Sequence, residues 1–87
     1  MDPRFAGQWL TATAARSGIN TYQALAVHLS VEMGQPIAAS TVYRWWVGDR
    51  LMPRAYWLPV SRVLGVSIDE VALSGSGFEI VTEEREQ

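Results

Sequence analysis

Ser40-Thr41-Val42-Tyr43-Arg44-Trp45-Trp46-Val47-Gly48-Asp49-Arg50-Leu51-Met52-Pro53, followed after ten intervening residues by Leu64-Gly65-Val66-Ser67-Ile68-Asp69-Glu70, is the stretch on which the fold turns. Val42, Trp45 and Trp46, with Ile37 just before them, are apolar, while Ser40, Thr41, Tyr43 and Arg44 occupy the other sides of the same short helix. The spacing predicts a helix from Ala38 or Ala39 to Val47, with Gly48 as its C-terminal stop. The loop that follows carries Arg50 and Arg54 close to that helix end. A further helix is expected over Leu58–Leu64, with Pro59 tolerated in its first turn. Gly65 ends it. Ser67 with Glu70 then has the form of a capping box opening a short fifth helix.

Working outward, Phe5, Trp9, Ala12 and Thr13 recur at helical spacing and predict a first helix from about Pro3 to Arg16, closed by Gly18. Asn20 with Gln23 reads as another capping box. The helix it opens has Tyr22, Leu25, Ala26, Leu29 and Met33 as its apolar stripe and Gly34 as its stop. Pro36 disfavours helical backbone at Gln35, so the chain must turn between Met33 and Ile37.

Residues 1–73 thus form one helical domain, and residues 74–87 a separate segment. Ser74-Gly75-Ser76-Gly77 has the composition of a flexible link. Phe78-Glu79-Ile80-Val81-Thr82 alternates and is rich in strand formers, so it reads either as a short strand or as a frayed tail. A lone strand needs a partner, and the same strand of a second molecule would supply one across a two-fold axis.

The 87 residues include nine Asp and Glu against seven Arg, no Lys and no Cys, for a net charge of −2. With 48% apolar residues and four Trp, the chain has enough to bury for one small core, and a second domain is excluded. The absence of Cys removes disulfides, thiolate metal sites and thiol nucleophiles together. No apolar run approaches the ~20 residues of a membrane helix, and the first ten residues lack the pattern of an export signal. The charge is unevenly spread: residues 1–78 hold six Arg against five acids, and residues 79–87 hold four Glu against Arg85. The body is therefore not acidic.

The two quoted blocks resemble the helix-turn-helix domain of the phage repressor and Cro superfamily, the lambda repressor-like domains. That family reads Ser-Thr-Ile/Val-x-x-Trp along its recognition helix, then a Gly, a short basic loop ending in Pro, a helix, and Leu-Gly-Val-Ser-x-Asp-Glu. The resemblance covers roughly residues 21–73. It implies an all-α, five-helix domain that binds double-stranded operator DNA as a homodimer in the cytoplasm of a bacterial host, a phage- or prophage-type transcriptional regulator. It implies no cofactor, no small-molecule substrate and no membrane. One departure stands out: about six extra residues separate Leu25-Ala26 from Ile37. Either the second helix is longer by more than a turn, or the turn itself is expanded. Ala38 also stands where the family has Ser or Thr, a weaker cap by about 1 kcal/mol.

Physical chemistry points the same way. A helix reads the major groove when its outward side offers short polar groups and a long donor while its inward side is pinned to a core. Val42 and Trp45, with Ile37, are the inward anchors. Ala39, Ser40 and Arg44 are the candidate base contacts, with Arg44 suited to bidentate bonding with guanine. Thr41, Tyr43, Arg50 and Arg54 are the candidate phosphate contacts, which position and do not specify; Thr41 and Tyr43 alternatively pack between helices. Trp45, Trp46 and Trp57 read as core or interface; Trp57, Phe78 and Ile80 are the candidate dimer surface.

His28 lies opposite the apolar stripe of its helix, with no neighbouring ligand set, and reads as a surface residue. Asp69-Glu70 reads as a helix start and not as an acid-base pair. Gly75-Ser76-Gly77 lacks the helix and Lys of a phosphate loop. No catalytic machinery is legible, and no metal site. A second function class fits the same scaffold: a protein-interaction module, an antitoxin-like or anti-repressor-like partner that uses exposed aromatics for contact.

Overall fold

A computed structural model describes residues 3–75, and every regular element among them is helical. Five α-helices follow one another: α1 (Pro3–Arg16), α2 (Tyr22–Met33), α3 (Ala39–Trp46), α4 (Trp57–Leu64) and α5 (Ile68–Glu70). One tight 3-10 turn, Arg54–Tyr56, leads into α4, and a wider π-type turn, Val71–Gly75, continues from α5. The expected strand at Phe78–Thr82, and with it Phe78 and Ile80, lies outside the described residues. Among the described residues no helix is long and apolar enough to cross a membrane.

The core is one cluster to which every α-helix but α5 contributes. Leu10 and Ala14 come from α1, Leu25, Ala26 and Leu29 from α2, Val42 and Trp45 from α3, and Val60 and Leu64 from α4. Ile19, Met52 and Val71 close it from the connecting segments. Leu25, Leu29, Val42, Val60 and Val71 are fully buried, each contributing about 1.5–3 kcal/mol relative to exposure. α2 packs on α3 and α4, while α1 packs on α3 and on the Val71–Gly75 turn.

The inward face of α1 differs from the expected one. Phe5 is 62% exposed and Ala12 is exposed, while Ala6, Gly7, Leu10, Thr13 and Ala14 are buried. The cause is a backbone-to-backbone approach at Gly7. A Cβ there would lie 2.9 Å from the Gly48 nitrogen and 3.0 Å from the carbonyl oxygens of Trp45 and Trp46. α1 therefore meets the end of α3 through its smallest residues, and this rotation turns Phe5 outward. Trp9, half-buried, packs at the core's edge, and its indole N–H donates to the Glu70 carboxylate at 2.9 Å.

The start of α2 also moves by one position. Thr21, not Asn20, is the N-cap: its hydroxyl accepts from the Ala24 N–H at 3.1 Å. α2 then runs to Met33, where Gly34 adopts φ 68°, a left-handed conformation that costs glycine little. A five-residue connection, 34–38, leads to α3. Ser30 organises the connection: its hydroxyl donates to the Ala26 carbonyl at 2.8 Å and accepts from the Ile37 N–H at 2.9 Å. Ala38 gives α3 no side-chain cap, as expected.

Ser67 caps α5 by accepting from the Glu70 N–H at 3.1 Å. α4 begins at Trp57, one residue before the expected start. The helical backbone after α5 extends through Ser74 and Gly75, two residues that composition assigns to a link. The reason is contact: Gly75 is buried on the Trp9 ring, where a Cβ would lie 2.7 Å from Cζ3.

Candidate nucleic-acid interface

α3 is only eight residues long, and its two sides are sharply divided. Val42 is fully buried and Trp45 is 4% exposed, held by a tilted ring contact with Tyr56 at 4.7 Å between centroids. Ser40, Tyr43 and Arg44 are exposed, and Ala39 and Thr41 are half-buried. The inward anchoring by Ile37, Val42 and Trp45 follows the spacing of the apolar positions.

Two concavities flank this helix and share Ser40. One, of about 310 Å³, is lined by Ser40, Thr41, Arg44, Trp45, Arg50, Leu51 and Pro53. The other, of about 360 Å³, is lined by Tyr22, Gln23, Ala39, Ser40 and Tyr43. No Asp or Glu lines either.

The backbone after α3 explains how Arg50 reaches the first concavity. The N–H groups of Asp49 and Arg50 both donate to the Arg44 carbonyl, at 2.8 and 3.1 Å. The turn at Gly48, φ 81°, folds the loop back over the last turn of the helix. Arg44 and Arg50 thereby line one wall together. Among the described residues, neither guanidinium makes a hydrogen bond or an ion pair. Arg62, by contrast, meets Glu32 at 3.4 Å, and Arg16 donates to the Thr13 hydroxyl.

Arg54 sits apart from this pair. Its guanidinium carbon lies 5.4 Å from the Trp57 ring centroid, a cation–π arrangement. The Trp57 indole N–H donates to the Met52 carbonyl at 3.2 Å, so this half-buried side chain is bound to its own loop. Six of the seven predicted DNA-contact residues therefore line the two concavities: Ser40, Thr41, Arg44 and Arg50 the first, Ala39, Ser40 and Tyr43 the second. Arg54 lies outside that set.

Tyr22 and Gln23 were not legible as site residues. Gln23 reads from sequence as the reciprocal partner in a cap at Asn20; with Thr21 as the cap, its exposed side chain faces the groove beside α3. Tyr22 meets Tyr43 edge-on, with centroids 4.9 Å apart, and so supports the outward tyrosine from below.

His28 is exposed. Asp69 and Glu70 lie in the first turn of α5, and Glu70 is engaged by Trp9. Among the described residues no three His, Asp or Glu side chains group as a metal site would need. No family model, curated protein or solved structure matches this chain.

Proposed function

We propose that this protein is a sequence-specific, double-stranded DNA-binding regulator with a lambda repressor-like helix-turn-helix domain. α2 and α3 are the paired helices, and α3 is the one that enters the major groove. The observation that carries this reading is the division of α3: a buried side fixed by Val42 and Trp45, and an outward side where Ser40, Tyr43 and Arg44, the last without a partner among the described residues, flank two concavities that no described Asp or Glu lines. Arg44 has the fork geometry to bond guanine, while Ser40 and Ala39 are short enough to allow close approach to base edges. Arg50, Thr41, Tyr43 and Gln23 surround them as phosphate ligands, which fix register. Arg54 contributes charge from the loop, over Trp57.

With so few basic groups, non-specific binding is weak and operator affinity depends on two copies acting together. A homodimer on inverted half-sites sets two α3 helices about 34 Å apart on one DNA face. Occupying a promoter in this way produces repression. The deciding experiment is selection of bound duplexes from a random pool. Enrichment of an inverted repeat supports the reading; a pool that stays random, with no salt-sensitive shift on DNA, ends it.

A second reading is favoured by apolar exposure. Phe5 and Val27 are both about 60% exposed, and Val31 is 80% exposed on the outer side of α2. A protein-interaction module on the same helical scaffold would use such side chains as contacts. Recovery of one stoichiometric protein partner, without DNA binding, selects it.

A further inference from the structure

The two concavities beside α3 differ in charge. The first carries Arg44 and Arg50, whereas the second is lined by Tyr22, Gln23, Ala39, Ser40 and Tyr43, none of them charged. Tyr43 and Gln23 have polar ends that serve the neighbouring phosphates, but the tyrosine ring itself is apolar. A neutral, partly apolar hollow suits a base edge as its main occupant. In the major groove the prominent apolar feature of a base edge is the C5-methyl group of thymine, which 5-methylcytosine also carries.

Three side chains fit the second concavity to such a group. Ala39, half-buried in the first turn of α3, ends at its Cβ and leaves the approach open. Tyr43 follows four positions on and so shares its face of the helix. Its ring is held edge-on by Tyr22, with centroids 4.9 Å apart, and with the Ala39 methyl it makes one apolar wall. Ser40 supplies the polar element: it is exposed, lines both concavities, and its hydroxyl has no protein partner among the described residues. A hydroxyl both donates and accepts, so it meets the O4 of thymine and the N4 amine of cytosine equally well.

We infer that the Ala39/Tyr43 concavity receives the C5-methyl group of a major-groove pyrimidine, and that the site reads this methyl and not the group at C4. This rests on the reading of α3 as the helix that enters the groove, and names what the uncharged half of its surface recognises. A half-site then carries a guanine for Arg44 and a methylated pyrimidine for Ala39. Either thymine or 5-methylcytosine supplies the methyl. An operator with cytosine at that position is bound more tightly once methylated, which makes the regulator responsive to cytosine methylation.

The test uses the full chain and the duplex enriched by selection from a random pool. In one half-site each thymine is replaced in turn by deoxyuridine, which removes only the methyl, and each cytosine by 5-methylcytosine, which adds only the methyl. The responsive position is then made with all four pyrimidines, each opposite its own purine. Anisotropy titrations should show binding about 3- to 5-fold tighter with the methyl than without it in both pairs, the scale of one methyl group taken out of water. If the duplex binds and no position responds, the inference is overturned and the DNA reading stands. A methyl effect confined to thymine also overturns it, because the site would then read the group at C4. A pool that stays random removes the DNA reading and this inference with it.

Variants locate the methyl. In Ala39→Gly the ratio of methylated to unmethylated affinity should fall toward unity, whatever the overall affinity. Tyr43→Ala, which leaves the start of α3 intact, should lower the same ratio. Arg44→Ala should weaken all four duplexes and keep it. A parental ratio in both Ala39→Gly and Tyr43→Ala places the methyl elsewhere and overturns the inference.

Discussion

The Ser30 hydroxyl receives the Ile37 N–H at 2.9 Å while giving its own proton to the Ala26 carbonyl, and so joins the last turns of α2 to the residue that leads into α3. Together with the Gln35 N–H to Ser30 carbonyl bond and the left-handed Gly34, this side chain folds the five-residue connection that leads to α3.

Replacing it tests that role. In Ser30→Ala the Ile37 N–H loses its acceptor at a half-buried position, at a cost of about 1 kcal/mol. Urea unfolding should show a lower midpoint with an unchanged slope. A variant as stable as the parent would mean that water replaces the hydroxyl without loss.

Gly7→Ala reverses the usual effect of alanine in a helix. An interior Gly→Ala change ordinarily gains roughly 0.5–1 kcal/mol. Here the new methyl would stand about 3 Å from three backbone atoms of the α3 end, none of which can rotate away. A loss of about 1–3 kcal/mol is expected from overpacking. Chemical denaturation gives the sign directly, and stabilisation would contradict the close approach of α1 to α3.

Trp9→Phe keeps an aromatic ring beside Gly75 and removes the donor to Glu70. A destabilisation of about 1–2 kcal/mol is expected, combining the lost hydrogen bond with the smaller ring. In a double-mutant cycle with Glu70→Ala, a coupling near zero would show that the hydrogen bond contributes nothing to stability.

Arg44→Ala and Arg54→Ala separate the two kinds of DNA contact in the proposed function. The first should weaken operator binding by about 1–3 kcal/mol and relax preference at one base pair. The second should weaken all duplexes nearly equally and reduce the salt slope by about one. Indistinguishable binding profiles in both variants and the parent, across salt, would remove Arg44 from the interface.

How much of this was visible in the residues depends on what kind of contact each makes. Gly34, Gly48 and Gly65 mark helix ends because only their backbone conformation is at stake, and all three take positive φ. Val42 and Trp45 are legible as anchors because α3 buries large side chains, for which apolar volume is a sound guide. The face of α1 was misjudged for the converse reason: it packs through Gly7 and Ala6, and apolar volume points to Phe5. Asn20 and Thr21 are both competent caps in adjacent positions, so composition alone does not choose between them. Ser30 carried no signal, since its partner lies seven residues away on a segment whose path was open. That Arg50 falls beside Arg44 was legible from the Gly48 stop and the short basic loop after it; that Arg54 lies outside the shared concavity, over Trp57, was not, because it depends on how the loop backbone closes on the Arg44 carbonyl.

The bond from Trp9 to Glu70 spans 61 positions, whereas α2, α3 and α4 meet through much shorter loops. Closing a loop of that length costs roughly 3–4 kcal/mol in chain entropy, which the packed ends must offset. The same α1 carries Gly7, whose close approach buttresses the end of the helix proposed to read DNA. Native-state hydrogen exchange should find α1 and the Val71–Gly75 turn opening together at lower free energy than Leu25, Leu29 and Val42. A chain in that partly open state retains a core but has lost the support that fixes α3, so the fraction of molecules competent to bind is set by an equilibrium remote from every binding residue.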